Sequence, residues 1–311
     1  MTVTSDRYRN TRVAGKASTD AHAHRFSRQE KMEFKLKSHS SVPVVILAGA
    51  VTLIAALSVW RAHHALAVGL LPAVNALDYR IIVFLNRFAH RSWTLDTIFD
   101  VIDSNPLASS PLLMAFWWAW FKDKDRVAQT ETREILLHGI VGSFLLIVAL
   151  RILDYTVPYR GRPLHNPELH FTLPYGVEPN RLLGWSAFPS DHAVMWFFLA
   201  TTIWYVSRRL GTFLYAYVTL TLCVARIYLG IHYPSDIIVG GLIGIAVARM
   251  CKVPAIRKTM ADQPLRWMQL SPGIFYAALF IVTEQMMEGF SSLHEVQALL
   301  HATVSAVMKA I

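Results

Sequence analysis

Three short polar islands lie at the edges of apolar segments of this chain. They are Arg160-Gly161-Arg162-Pro163, Pro189-Ser190-Asp191-His192, and a third that runs from Arg226 through His232 to Asp236. Charged groups beside membrane-length apolar segments are costly and usually functional. Together the islands supply guanidinium cations for a phosphate, two imidazoles and a carboxylate, which are the parts needed for phosphoryl transfer.

The third island combines an acid–base pair with a cation. His232 and Asp236 are four residues apart, which puts them on one face of a helix, and a carboxylate there fixes the tautomer of the imidazole. Gly230 and Pro234 predict a turn between Arg226 and the helix face that carries His232 and Asp236. Arg226 can then bind two phosphate oxygens in a bidentate manner. The alternative is a helix-end ion pair of Arg226 with Asp236, with His232 a bystander at the interface.

The second island reads as the start of a helix. Ser190 or Asp191 caps the free backbone N–H groups, and a helix amino terminus attracts anions. Ser190 and the neighbouring amides would then hold a phosphate on which His192 acts. The alternative is an ordinary cap, with His192 at the level of the lipid headgroups.

The composition indicates a polytopic membrane protein of the all-α class. Of its 311 residues 54% are hydrophobic and 16% are charged, whereas about a quarter of the residues of a soluble domain are charged. Cys223 and Cys251 both lie in apolar segments, so we expect two inert thiols and no disulfide framework.

Apolar runs predict a helix bundle with six transmembrane helices. These spans cover about 42–60, 106–121, 135–153, 193–206 with its flanks, 213–229 and 237–250. The stretch from Asp78 to Asp103 is predicted to be an additional interfacial helix. Helical spacing over 291–311 predicts a C-terminal surface or partner-contacting helix, and a seventh span over about 273–290 is the alternative.

Basic residues between the spans predict the orientation. Three clusters follow the second, fourth and sixth spans: Lys122, Lys124, Arg126 and Arg133; Arg208 and Arg209; Arg249, Lys252, Arg257 and Lys258. With a cytoplasmic amino terminus all three clusters lie in the cytoplasm, and all three polar islands lie on the opposite side. Arg160 and Arg162 then depart from the positive-inside bias, which phosphate recognition explains; binding of anionic headgroups without catalysis is the alternative.

The chain divides into three predicted regions. Residues 1–42 hold nine Lys and Arg without the apolar core of a signal peptide, and they are expected to form a cytoplasmic tail that touches anionic lipid headgroups. A phosphatase-like transmembrane core over 43–252 and a helical extension over 253–311 follow. Nucleic acid is not an expected partner, because the basic residues lack interleaved aromatic residues and a folded scaffold.

The order of these motifs resembles the type 2 phosphatidic acid phosphatase (PAP2) superfamily. The family pattern is Lys-x6-Arg-Pro, Pro-Ser-Gly-His and Ser-Arg-x5-His-x3-Asp. The matching residues in this chain are Arg162, Pro163, Pro189, Ser190, His192, Arg226, His232 and Asp236. Three positions depart: Tyr155 replaces the lysine, Asp191 the glycine and Ala225 the serine. Asp191 either caps the helix and points away, or repels a phosphate and favours a different donor or acceptor.

The resemblance implies roles for individual residues. His232 would attack phosphorus and form a phosphohistidine, Asp236 would orient it, and His192 would protonate the leaving group and then activate water. The implied phosphate-binding residues are Arg162, Arg226, Ser190, Arg160, Arg151 and Asp191. Arg151 and Arg160 enter as candidate substitutes for the missing lysine. Neither a metal nor another cofactor is implied.

The expected function is removal of phosphate from a membrane lipid at the periplasmic or outer side of a bacterial inner membrane. By family analogy an isoprenyl diphosphate is the leading substrate, and phosphatidic acid or phosphatidylglycerol phosphate come next. A phosphotransferase with the same phosphohistidine, or a degenerate lipid-binding protein, is the alternative. A transporter is not favoured, because neither a repeat nor a pair of broken helices is evident. The partner is the lipid substrate, with a homo-oligomer left open.

Overall fold

The computed structural model describes residues 74–154 and 159–287, and the regular elements in these ranges are helices. The helices are α1 (74–86), α2 (Trp93–Ser104), α3 (Ser110–Phe121), α4 (Arg126–Asp154), α5 (Asp191–Val206), α6 (Arg208–Tyr217), α7 (Val224–Tyr228), α8 (Pro234–Cys251), α9 (Pro254–Leu270) and α10 (Pro272–Met287). A π-helical turn, Val218–Cys223, joins α6 to α7. The all-helical class predicted from the sequence is therefore confirmed for these ranges.

Some predictions lie outside the described residues. They are the basic tail, the first span at 42–60, Tyr155 and the C-terminal helix at 291–311. The division of the chain at 42 and 252 stays a prediction.

Two of the described helices are long and apolar enough to cross a membrane. They are the continuous helix Arg208–Tyr228, with 21 residues, and α8, with 18 residues. Helices α3, α5 and α10 have 12, 16 and 16 residues, which is short of the about 20 residues that a span needs without its flanks. The count of six spans therefore stays a prediction.

The predicted interfacial stretch, 78–103, forms two helices rather than one. Ser92 starts α2 by accepting a hydrogen bond from the Leu95 N–H. Apolar side chains such as Leu77 are exposed on these helices, whereas Asp78 and Asp96 are buried. Asp78 and Asp96 therefore point toward the protein, whereas Leu77 faces the surroundings.

Helix α5 lies at the centre of the core and packs against α8, α4, α6 and α3. Its contact with α8 depends on two glycines spaced four apart. A Cβ atom on Gly240 would lie 2.6 Å from the carbonyl oxygen of Ser190, and one on Gly244 would lie 2.2 Å from that of Val194. Small residues at this spacing let two helix backbones approach closely in membrane proteins. The close approach brings the amino termini of α5 and α8, and with them the second and third polar islands, side by side.

The turn between α7 and α8 also depends on a glycine. Gly230 has φ of +69°, and a Cβ there would lie 2.6 Å from the ring of Phe171. Its carbonyl accepts a hydrogen bond from the Leu164 N–H at 3.0 Å. This turn joins the first island to the third and sets the position of His232.

The segment after α8 packs back onto the bundle. Helix α9 lies along α4, and α10 contacts α3 and α4. Phe275 and Leu279 of α10 belong to the same buried cluster as the residues of α5. Helices α9 and α10 therefore extend the core.

Gly244→Ala should destabilise the fold by about 2 kcal/mol, because overpacking a close backbone contact costs roughly 1–3 kcal/mol. The measurement is the thermal unfolding midpoint of the purified protein in detergent. Gly273→Ala is the matched control, since a Cβ at Gly273 meets nothing within 4 Å. Equal shifts in both variants would contradict the role given to Gly244.

Candidate active site

The three polar islands are joined by backbone hydrogen bonds. The Ser190 N–H donates to the carbonyl of Asp236 at 3.2 Å, and the Ala187 N–H donates to the carbonyl of Arg160 at 2.8 Å. With the bond from Leu164 to Gly230, these contacts tie the loop before α5 to the amino terminus of α8. The three islands therefore lie together in the structure.

His232 is buried and held as a neutral ring. Its Nδ1 lies 2.8 Å from the carbonyl oxygen of Ala187, which can only accept, so Nδ1 carries the hydrogen and Nε2 keeps its lone pair. Nε2 lies 3.4 Å from Nη1 of Arg226. Burial, together with the positive charges of Arg162 and Arg226, holds the pKa of His232 well below its ordinary value. The ring is therefore unprotonated near neutral pH, as a nucleophile must be.

Asp236 contacts other groups than the imidazole that it was expected to orient. Its carboxylate accepts the Tyr233 N–H at 2.8 Å and forms an ion pair with Arg160. The distance from His232 Nδ1 to Asp236 Oδ2 is 3.9 Å, too long for a hydrogen bond. Because its oxygens are engaged elsewhere, Asp236 does not hold the ring, and the Ala187 carbonyl makes the direct contact.

Arg160 is bound to two carboxylates. Besides Asp236 it contacts Asp78 at 2.8 Å and the hydroxyl of Ser235 at 2.9 Å, and it stacks on the ring of Tyr233. Burial by itself would lower the pKa of Arg160, but the two carboxylates outweigh it and the pKa is raised. The role of Arg160 in this structure is to hold the start of α8 to α1.

Arg226 has a carboxylate partner that the motif does not contain. Its Nε lies 2.7 Å from Oδ1 of Asp103, whose other oxygen lies 2.8 Å from Nη2 of Arg181. The alternative ion pair of Arg226 with Asp236 is replaced by this contact. Burial alone would raise the pKa of Asp103, but Arg226 and Arg181 outweigh it and lower the pKa, so the carboxylate is ionised.

Arg162 contributes a buried cation whose hydrogen bonds go to the backbone. Nη1 donates to the carbonyl of Ile231 at 2.8 Å, and Nη2 donates to that of Ser186 at 3.1 Å. Burial lowers the pKa of Arg162 to about 10, so the group stays charged near neutral pH. Carbonyl contacts do not neutralise this charge, which favours an anion beside His232.

The second island holds the other imidazole, which shares an aromatic neighbour with Arg226. Ser190 is buried, and its hydroxyl caps α5 by accepting the Ala193 N–H. The His192 ring meets Trp196 edge-on with centroids 5.3 Å apart, and the guanidinium of Arg226 lies 5.5 Å above the Trp196 ring. Trp196 therefore lies between the second histidine and the cation that contacts the first.

Asp191 contacts His192 rather than only capping the helix. Its Oδ1 lies 2.9 Å from Nδ1 of His192. Neither interpretation of Asp191 from the sequence included this contact. The remaining candidate, Arg151, lies near the carboxyl end of α4, and its side chain is outside the described part of the structure.

Sequence reasoning missed Asp78, Asp103, Arg181 and Trp196. Acidic residues in an apolar stretch are usually functional or paired, so Asp78 and Asp103 could have been identified as candidates from the sequence. Their partners lie 82 and 123 positions later in the chain, so spacing could not reveal them. Within residues 74–154 and 159–287, no group of three or more His, Cys, Asp or Glu is placed to hold a metal ion.

Comparison with known proteins assigns the segment that holds these motifs to a family. Residues 154–256 match the PAP2 superfamily, and this part of the chain is a PAP2 superfamily domain. All three polar islands lie inside the match.

Two curated proteins are similar to the chain. The undecaprenyl-diphosphatase BcrC of Bacillus subtilis (strain 168) is 23% identical over 171 residues, which are 55% of this chain and 80% of that protein. The bacitracin transport permease protein BcrC of Bacillus licheniformis is 32% identical over 63 residues, which are 20% of this chain and 30% of that protein. No solved structure matches the chain.

Asp103→Asn should destabilise the protein by about 3 kcal/mol, because it removes the charge that pairs with the buried Arg226. Asp100→Asn is the matched control: Asp100 also pairs with Arg181, but its side chain is 29% exposed, and such pairs contribute less than about 1 kcal/mol. Thermal unfolding in detergent measures both. A midpoint for Asp103→Asn as high as that of the control would contradict the buried pair.

Proposed function

We propose that this chain is an integral membrane phosphatase that removes phosphate from a lipid phosphate or diphosphate through a phosphohistidine on His232. One observation supports the proposal above the others: a buried, neutral imidazole keeps the lone pair of Nε2 beside Arg226, with the cation of Arg162 close by. A neutral nucleophile beside two buried guanidinium groups fits attack on an anionic phosphoryl group.

The proposed reaction has two steps. In the first, His232 Nε2 bonds to phosphorus and the bond from phosphorus to the leaving oxygen breaks, with His192 as the proton donor where that oxygen needs one. In the second, His192 takes a proton from water, the water oxygen bonds to phosphorus, and the bond to Nε2 breaks. Arg162 and Arg226 stabilise the equatorial oxygens.

The substrate that fits best is an isoprenyl diphosphate. The Bacillus subtilis relative is an undecaprenyl-diphosphatase, and its similarity covers 80% of its own length. Ile238 and Leu242 of α8 are both 60% exposed within two turns of Asp236, so apolar surface adjoins the site. An acyl or isoprenyl tail can lie there while the phosphate reaches the arginines.

We further propose that the site faces the periplasm or the outside of a bacterial inner membrane. Six spans, with α1 and α2 at the interface, put the basic clusters at Lys122, Arg208 and Arg249 on the cytoplasmic side together with the amino terminus. The polar islands then share the other side.

Phosphate release from purified lipid phosphates and diphosphates in detergent tests the activity. His232→Ala should lower the turnover at least ~10³-fold, because it removes the nucleophile. His192→Ala should lower the turnover roughly 10²–10⁴-fold, because it removes the general acid and base. The control is His170→Asn, since His170 is exposed and has φ of +43°, a conformation that asparagine tolerates. Full activity in His232→Ala would rule out the proposed nucleophile.

The same assay separates hydrolysis from the alternative of phosphoryl transfer. Mass spectrometry of the products, with and without added lipid or sugar acceptors, identifies where the phosphoryl group goes. Release of inorganic phosphate in the absence of an acceptor is the result expected of a hydrolase. A phosphorylated acceptor together with negligible phosphate release would instead establish a transferase.

Cysteine labelling tests the orientation. Leu183→Cys, at a residue that is 58% exposed in the loop before α5, should react with an impermeant thiol reagent added outside intact cells. Lys124→Cys, in the basic loop between α3 and α4, should react only after the membrane is opened. The native Cys223 and Cys251 are buried and should give little background. The reverse labelling pattern would refute the topology.

A further inference from the structure

Asp191 occupies the position that is glycine in the family pattern, and its carboxylate contacts the imidazole of His192. Asp191 Oδ1 lies 2.9 Å from His192 Nδ1, and it also accepts the His192 backbone N–H at 2.8 Å. An ionised carboxylate only accepts hydrogen bonds, so Nδ1 carries the hydrogen. Nε2 is therefore the ring nitrogen that is left for acid–base chemistry.

We propose that Asp191 is a positioning residue that adapts His192 to the water-activating step and thereby directs the enzyme toward diphosphate substrates. This inference rests on the proposed function, since it assigns a role within the same two-step reaction. It goes further by naming the residue that selects between a phosphoanhydride and a phosphate monoester.

The physical reason is the charge that the His192 ring gains and loses. When the ring takes a proton from water it becomes positive, and the adjacent carboxylate stabilises that charge. The same attraction opposes release of the proton to a leaving group. Asp191 therefore assists the second step and hinders general acid catalysis in the first.

The two substrate classes differ in their need for that acid. In a lipid diphosphate, attack by His232 Nε2 on the terminal phosphorus breaks the anhydride bond, and the lipid monophosphate leaves with the electron pair as a stable anion. In a lipid monophosphate the leaving group is an alcohol, whose oxygen needs a proton as the bond breaks. A carboxylate beside the acid–base histidine therefore slows the first step little when the substrate is a diphosphate.

Asp191 and His192 together then favour the second step, hydrolysis of the phosphohistidine. His192 Nε2 takes one proton from water, the water oxygen bonds to phosphorus, and the bond from phosphorus to His232 Nε2 breaks, returning the electron pair to that nitrogen. Inorganic phosphate leaves, and the proton on His192 passes to solvent.

Accessibility and the neighbouring charges agree with this assignment. The side chains of His192 and Asp191 are 17% and 19% exposed, whereas that of His232 is 3% exposed. Water can therefore reach the first ring more readily than the second. A second carboxylate that interacts electrostatically with His192 is Asp103, which is bound by Arg226 and Arg181.

The test uses Asp191→Asn, which keeps the size of the side chain and removes its charge. The substrates are farnesyl diphosphate, labelled with ³²P in the terminal phosphate, and labelled farnesyl phosphate, with the full chain in detergent. Diphosphate turnover should fall ~10–100-fold, since general base catalysis contributes at least roughly that factor. The steady-state fraction of alkali-stable, acid-labile ³²P on the protein should rise, because the phosphohistidine forms but is hydrolysed slowly.

Turnover of the monophosphate should fall much less. Its first step is slow, and His192 donates its proton to the leaving alcohol more readily without the charge of Asp191. The ratio of diphosphate to monophosphate turnover should therefore drop at least ~5-fold in Asp191→Asn, and likewise in Asp191→Gly, which carries the residue of the family pattern. Glu168→Gln, at an exposed acid in the loop before α5, is the control and should keep the ratio of the unmodified protein. His232→Ala should carry no label.

Two results would overturn the inference alone: an unchanged turnover ratio in Asp191→Asn, or a loss of phosphoprotein in parallel with the loss of turnover. Either would leave the proposed function standing as long as hydrolysis depends on His232. Absence of hydrolysis of both substrates by the unmodified protein would instead overturn the proposed function and this inference together.

Discussion

The site depends on positive charge buried around an uncharged imidazole. Arg162 and Arg226 are each 6% exposed, and both act on His232. Two desolvated cations are costly unless anions or hydrogen bonds compensate them. Asp103 compensates Arg226, whereas the hydrogen bonds of Arg162 to Ile231 and Ser186 satisfy its donors and leave its charge. A bound phosphoryl group would complete the balance, which is why this arrangement fits an anionic substrate.

Two of the acidic residues around this centre are paired with arginines. Asp236 is bound by Arg160, and Asp103 is bound by two arginines. A free carboxylate beside the nucleophile would repel a phosphate, but a carboxylate in an ion pair adds little negative potential. Asp191 contacts His192, and its charge also acts on Arg162 and His232.

Backbone packing fixes where the parts of the site lie. The amino termini of α5 and α8 meet because Gly240 and Gly244 allow the two helices to touch, and the Ser190 N–H then bonds to the carbonyl of Asp236. Both helices begin at residues of the site, so a shift of either helix would move Ser190 or His232. Preorganised groups of this kind stabilise charge in a transition state without reorganising.

The sequence by itself determined the helical class and the motifs, because composition, apolar runs and the spacing of Arg226, His232 and Asp236 are local properties of the chain. It also placed the three islands on one side of a membrane, because the predicted spans and the basic clusters between them set that order. Only the tertiary structure decided the partners: Asp103 for Arg226, and the Ala187 carbonyl for the ring of His232. Those contacts join residues 45 or more positions apart, and a buried charge takes whichever partner the packing of α2, α5 and α8 brings to it.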